Sequence, residues 1–382
     1  MTRISWGAAA LLLATTTLAQ AGALDRTLQP VGVIFEEGNY AELSYGFTSP
    51  DVSGTVGGGA VSSGDVGVDF STVVLSFKYD VTDRVAVAVI VDQPFGADVD
   101  YGDADLGYPI AGSTAEFRSS AVTVLGRYEF TDSFSVHGGA RYVTTDADLF
   151  VNAVTLTPAG PVPLNYDASY DQDSDTSFIL GAAYERPEIA LRVALTYATE
   201  TEFTNEVDYV LSAGGAPVAA ASGPLDAYTL PQSLTLDFRT GVAADTLLFG
   251  QVRWADWSET EIISPEYFAN PVVDYEEDIY TYTLGLGRQV TDRVLASAAV
   301  FYETQTASDF DPAVPGSGVS NLSPIDGQLG VQLAGTYLVG NGLELTGAVR
   351  YTRLGDATTR GFGAEFEDND AVSLGLRVGY RF

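Results

Sequence analysis

His137 is the single histidine of the chain, and Ser135 stands two residues before it. A serine and a histidine on one face of a strand can form a nucleophile–base pair, the chemistry of an acyl hydrolase. No carboxylate lies beside them in sequence to orient the imidazole, and both adjoin a short turn. A solvated polar wall accounts for them equally well, so no catalytic residue is assigned. The other chemistry-bearing groups are acidic: Asp98, Asp100, Asp103 and Asp105; Asp171, Asp173 and Asp175; Glu276, Glu277 and Asp278; Asp368 and Asp370. Alternate aspartates can hold calcium, but the glycine and closing glutamate of an EF-hand loop are missing. A solvated acidic surface is the expectation, with no metal and no cofactor. Cysteine is absent, which removes thiolate sites and disulfides. Against 51 acidic residues there are 18 Lys+Arg, and the net charge of -33 excludes a general nucleic-acid role.

The elements that carry these residues alternate with a period of two. In the last twelve residues, Val372, Leu374, Leu376, Val378, Tyr380 and Phe382 share one face, with Arg377 and Arg381 on the other. One face meets an apolar medium and the other is wet. The pattern starts near Asn39, with Ala41, Leu43, Tyr45 and Phe47, and recurs as six hairpins with tight turns. With one opening and one closing strand the expected count is about fourteen. Between the hairpins lie long loops, roughly 50–70, 95–119, 146–176, 203–231, 260–278, 304–326 and 352–369. Short turns on one side, long loops on the other and an even strand number mark a transmembrane antiparallel β-barrel of the outer membrane. Tyr79, Tyr128, Phe130, Phe134, Tyr184 and Tyr337 beside the short turns fit an interfacial girdle. On the inward face Arg127, Arg141, Arg192, Arg239, Arg253, Arg350 and Arg377 meet Glu42, Asp92, Glu129, Glu185, Asp237 and Glu344, charges expected to cross-link the wall.

The N-terminus reads as a secretory signal peptide over 1–21: Arg3, an apolar run Trp6 to Leu18, and Ala19-Gln20-Ala21 before the cleavage point. Residues 22–38 lack the alternation yet carry Leu28, Val31, Val33, Ile34 and Phe35, an apolar segment that needs cover and would plug a lumen. The barrel is expected over 39–382. Apolar residues of the acidic loops, Leu149, Phe150, Val151, Val154, Leu156 and Leu164 with Ile262, Ile263, Tyr267 and Phe268, are candidates for capturing an apolar ligand. Pro94 lacks a ladder N–H and Gly96 permits a bulge, so regular pairing must stop around Pro94, Phe95 and Gly96.

Several stretches, in order, resemble the long-chain fatty acid and hydrocarbon transporters of the outer membrane, the FadL/TodX type. They are Asp92-Gln-Pro-Phe-Gly96, Gly181 to Tyr197, Leu230-Pro-Gln-Ser233, Val252-Arg-Trp-Ala-Asp-Trp-Ser258 and Leu322-Ser-Pro-Ile-Asp326. The resemblance covers essentially the whole mature chain and departs from the family in its short N-terminal segment, which has no Asn-Pro-Ala element. It implies passive uptake of hydrophobic compounds, with Pro94, Phe95 and Gly96 as a lateral gate and no catalysis. Leu376, Val378, Tyr380 and Phe382 resemble the terminal signal read by the barrel assembly machinery. The implied partners are hydrophobic small molecules, outer-membrane lipid and lipopolysaccharide, and that machinery, around a monomer. A general diffusion porin and a non-conducting structural or adhesive barrel are the competing readings.

Overall fold

The computed structural model describes residues 24–382 except 159, 270, 308 and 315, together with the side chains of all but Leu156 and Thr157 among them. The signal-peptide span 1–21 therefore lies outside the described residues. Fourteen antiparallel strands form a closed ring: β1 (Tyr40–Asp51), β2 (Phe70–Thr82), β3 (Val85–Asp92), β4 (Thr114–Glu129), β5 (Phe134–Thr157), β6 (Gly160–Arg186), β7 (Leu191–Ala198), β8 (Ser233–Ala243), β9 (Thr246–Ala255), β10 (Ile279–Thr291), β11 (Val294–Glu303), β12 (Gln328–Gly340), β13 (Leu343–Leu354) and β14 (Asp370–Arg381). The ring closes where β14 pairs with β1, from Tyr40 opposite Arg381 to Asp51 opposite Asp370. Thr48 Oγ1 donates to Ser373 Oγ at 2.9 Å across this seam.

The period of two is the physical cause. Leu43, Tyr45, Val73, Leu75, Phe77, Val87, Val89 and Val91 point outward and are exposed, as are their counterparts around the ring. Water would make such a continuous apolar belt prohibitively costly, whereas lipid makes it the stable outside. The inward residues are buried and mostly polar: Ser44, Thr48, Ser76, Lys78, Arg141, Arg253 and Arg377. Their charges pair across the wall, Arg141 with Asp92 at 2.6 Å, Arg377 with Glu42 at 3.6 Å and Arg127 with Glu185.

The span 146–176 is not a loop. β5 and β6 run on above the apolar belt as one tall hairpin, from Ala147 opposite Tyr170 to Thr157 opposite Gly160. A second hairpin, Glu206–Ala213 with Ala216–Pro224, pairs onto its flank within the expected 203–231 loop. The alternation persists there, with Leu149, Val151, Tyr166, Ala168 and Tyr170 buried. Aspartates interleaved on the opposite face disguised it as a loop.

Candidate functional site

The first strand turns back at the short-turn rim, and residues Leu24 to Gly38 lie inside the ring. Val31–Phe35 form a single 3-10 turn. Val31, Val33, Ile34 and Phe35 pack in one cluster with Ala86, Ala88, Ala183 and Ala194 of the inner wall. Alanines at these inward positions leave the width that the turn occupies. Phe35 sits between the guanidinium groups of Arg127 and Arg192, 4.9 and 4.6 Å from its ring centre, with His137 edge-on at 5.2 Å. Leu28 is half-buried between this turn and the upper end of the segment.

That upper end is held by charge. Asp25 Oδ2 accepts from Arg253 Nη1 at 2.7 Å and from Trp257 Nε1 at 3.2 Å, all three groups being buried. Thr27 Oγ1 donates to Asp92 Oδ2 at 2.6 Å, and Asp92 also accepts from Arg141. The backbone N–H of Arg26 donates to the Pro94 carbonyl at 2.8 Å, and that of Gly96 to the Leu24 carbonyl at 2.7 Å. Ser233 Oγ donates to Gln29 Oε1 at 3.3 Å.

Pro94, Phe95 and Gly96 stand at a fault in the wall. Pairing of β3 with β4 stops at Asp92 opposite Ala121 and resumes at Gly96 opposite Arg118. Three residues there oppose two, which is a bulge. On the other side the β2–β3 ladder ends at Leu75 opposite Val91, and the chains meet again only at a bridge between Gly67 and Val99. Among the described residues no ladder spans the interval between them, where Gln93 Oε1 accepts from the Val73 N–H at 3.0 Å. The Arg26 side chain fills this window. It stacks on Phe70 at 3.3 Å from the ring centre, donates to the Gly96 carbonyl at 2.9 Å and pairs with Asp98 at 2.6 Å.

Two cavities adjoin the window. One, of about 80 Å³, lies against Arg26, Phe70, Gly96 and Asp98. The other, of about 70 Å³, is lined by Leu24, Phe117, Leu149, Tyr170, Leu225, Tyr228, Ile262, Val273 and Leu322. They share Ala97 and Leu322. Leu149 and Ile262 of the expected capture surface line the second cavity; Phe150 is half-buried and Phe268 exposed, and neither lines it. The Leu156 side chain lies outside the described residues. Leu24, Asp25, Arg26, Tyr228 and Leu322 were not expected. Leu24 to Thr27 precede the apolar run and share no period with anything, so only their contacts reveal them.

Ser135 and His137 do not form a nucleophile–base pair. Ser135 Oγ accepts from Arg127 Nε at 3.0 Å, while His137 Nε2 is 2.9 Å from Thr196 Oγ1. Two aspartates of β6 serve the backbone: Asp175 accepts from the Glu202 N–H and Asp173 from the Thr204 N–H.

Residues 35–382 match the model of the outer membrane protein transport family (OMPP1/FadL/TodX). No curated protein sequence matches the chain. Among solved structures, a FadL homologue from Pseudomonas aeruginosa superposes with a TM-score of 0.77 at 14% identity, over 92% of each chain. The toluene transporter TodX of P. putida gives 0.67 at 11% identity, over 91% of this chain and 90% of its own. The toluene transporter TbuX of Ralstonia pickettii gives 0.64 at 14% identity, over 96% and 97%. At these identities the likeness speaks for the barrel architecture.

Proposed function

The chain belongs to the OMPP1/FadL/TodX family of outer-membrane transport proteins, and from that premise we propose that it carries hydrophobic compounds passively across the outer membrane along a route that leaves sideways through the barrel wall. An apolar molecule enters among the outer loops and lodges in the cavity floored by Leu24. It passes Ala97 and Leu322 into the cavity beside Arg26 and Phe70 and reaches the window between β2 and β3. The observation that carries the reading is this juxtaposition: an apolar cavity next to an interval of wall whose ladder is interrupted at Pro94, Phe95 and Gly96. The segment 22–38 acts as the plug. Its turn of Val31, Val33, Ile34 and Phe35, with Leu28 above, blocks straight passage down the lumen, so lateral exit is the open direction. Phe150, Leu156 and Phe268 belong to the outer approach.

No step makes or breaks a covalent bond, and the Ser135 and His137 partners support a structural role for both. The barrel works as a monomer in lipid and lipopolysaccharide, and Leu376, Val378, Tyr380 and Phe382 serve as its assembly signal. All four are exposed, three on the outer face of β14 and Phe382 just past its end. TodX and TbuX carry toluene by their descriptions, which makes a monoaromatic hydrocarbon a suitable probe. The test compares entry of labelled ethylbenzene and of a small sugar into outer-membrane vesicles with and without the barrel. Acceleration of ethylbenzene alone is expected. Equal acceleration of the sugar would establish a porin, and acceleration of neither would leave a structural or adhesive barrel.

A further inference from the structure

Among the described residues, the side chains lining the cavity floored by Leu24 offer an ionised group nothing to bind. The charged residues along its border are Glu116, Asp146 and Asp148, all acidic, whose positions alternate to the water-facing side of the wall from Ala115, Phe117, Ala147 and Leu149. Arg118, the cation beside them, is committed three times over, to Glu116 at 2.7 Å, Asp146 at 2.6 Å and Asp148 at 2.8 Å. Its hydrogen bonds hold Asp148 below the usual carboxylate range.

The uncharged donors of the lining are engaged as well. Asn205 Nδ2 donates to the Thr145 carbonyl at 3.0 Å and the Asp171 carbonyl at 2.8 Å. The Tyr228 hydroxyl donates to Asn205 Oδ1 at 2.9 Å, and the Tyr170 hydroxyl to Ser264 Oγ at 2.7 Å. A carboxylate in this cavity would lose its water without gaining a hydrogen bond or a counter-ion, and an unpaired desolvated charge is strongly disfavoured.

We propose that this cavity is a charge filter, which admits uncharged apolar molecules and rejects ionised carboxylates of the same carbon skeleton. The inference rests on the uptake reading above and narrows its substrate class from fatty acids or hydrocarbons to uncharged compounds. Two effects of different reach produce it. The acidic rim repels anions at a distance and is screened by salt; the lack of a free donor acts on contact and is not.

The experiment measures entry of radiolabelled methyl decanoate and of decanoate, at neutral pH, into outer-membrane vesicles with and without the barrel. The expected result is acceleration of the ester at least about tenfold greater than that of the acid, surviving high salt because the contact effect remains. Ala147→Lys and, on the neighbouring strand, Ala115→Lys each place an ammonium on the half-buried lining, where it can meet a carboxylate. Either variant, shown to be folded by heat-modifiable gel migration, is expected to gain decanoate entry while keeping that of the ester. Equal acceleration of acid and ester by the unmodified barrel would overturn the filter and leave the uptake reading standing. A preference for the acid, or folded lysine variants that gain no decanoate entry, would also overturn it. Acceleration of neither compound would overturn both readings.

Discussion

Arg26 is a planar cation wedged between an aromatic face, a carbonyl and a carboxylate, a combination that lysine cannot reproduce. Hydrogen bonds to charged groups contribute about 1.5–3 kcal/mol, so Arg26→Ala should favour the open window by that order. The expected outcome is faster ethylbenzene entry, with Arg26→Lys intermediate, measured in the vesicles described above. Arg253 and Asp25 pose a different problem, since their side chains are 0% and 2% exposed. Removing one member of a buried pair strands the other and costs about 3–5 kcal/mol. Arg253→Ala should therefore lower the temperature of heat-modified gel migration, and Asp25→Asn with Arg253→Met should recover most of the loss. A double variant no better than the single one would show that geometry, and not the stranded charge, sets the cost.

At the scale of elements, the strands were legible because lipid imposes one rule on every outward position. Val87, Val89 and Val91 obey it, and so do Leu374, Leu376 and Val378, 287 residues after the first three by numbering. The tall hairpin of β5 and β6 escaped because above the belt the outward face meets water, and Asp148, Asp167 and Ser169 replace the valines. The latch escaped for another reason. Asp25 and Arg253 are 228 positions apart, and no spacing rule links residues joined only by closure of the ring. Yet the stretches that carried the family resemblance converge on it: Asp92–Gly96, Ser233, Arg253 with Trp257, and Leu322 all border the N-terminal segment or the cavities beside it. Gly181, in the central one, lies under the His137 imidazole, whose Nε2 would stand 2.2 Å from an added Cβ. The plug assignment predicts that deleting Leu28 to Phe35 opens the lumen. Single-channel conductance in planar bilayers should rise from near zero to that of a water-filled pore, and an unchanged conductance would remove the plug.

For the whole molecule the sum of charge and the closure of the ring matter most. A net charge of -33 placed mainly outside the belt keeps the loops hydrated and repels anions approaching the entrance. Closure depends on β14, whose outer face ends in Tyr380 and Phe382, stacked at 5.7 Å, with Phe77 of β2 6.1 Å from Phe382. Removing Phe382 takes away both this contact and the backbone hydrogen bond from its N–H to the Asn39 carbonyl at 3.1 Å. The expected outcome is a several-fold drop in barrel recovered from the outer membrane, read by heat-modifiable migration. A normal yield would remove the terminal phenylalanine from the assembly signal.

Arg381, next to the end of the chain, grips the segment near its beginning. It donates to the Glu37 carbonyl at 2.8 Å and to Glu36 at 2.9 Å, and Glu344 of β13 lies 3.3 Å from it. Glu36 and Arg381 stand 345 positions apart, so this clasp ties the N-terminal segment to the closing seam itself. A seam joined two residues out of step would keep every side chain on its proper face, and the belt alone could not tell the difference. It would, however, carry Arg381 some 7 Å away from Glu36, by the rise of two strand residues. The clasp forms only on the right alignment, so it favours the native seam over the shifted one.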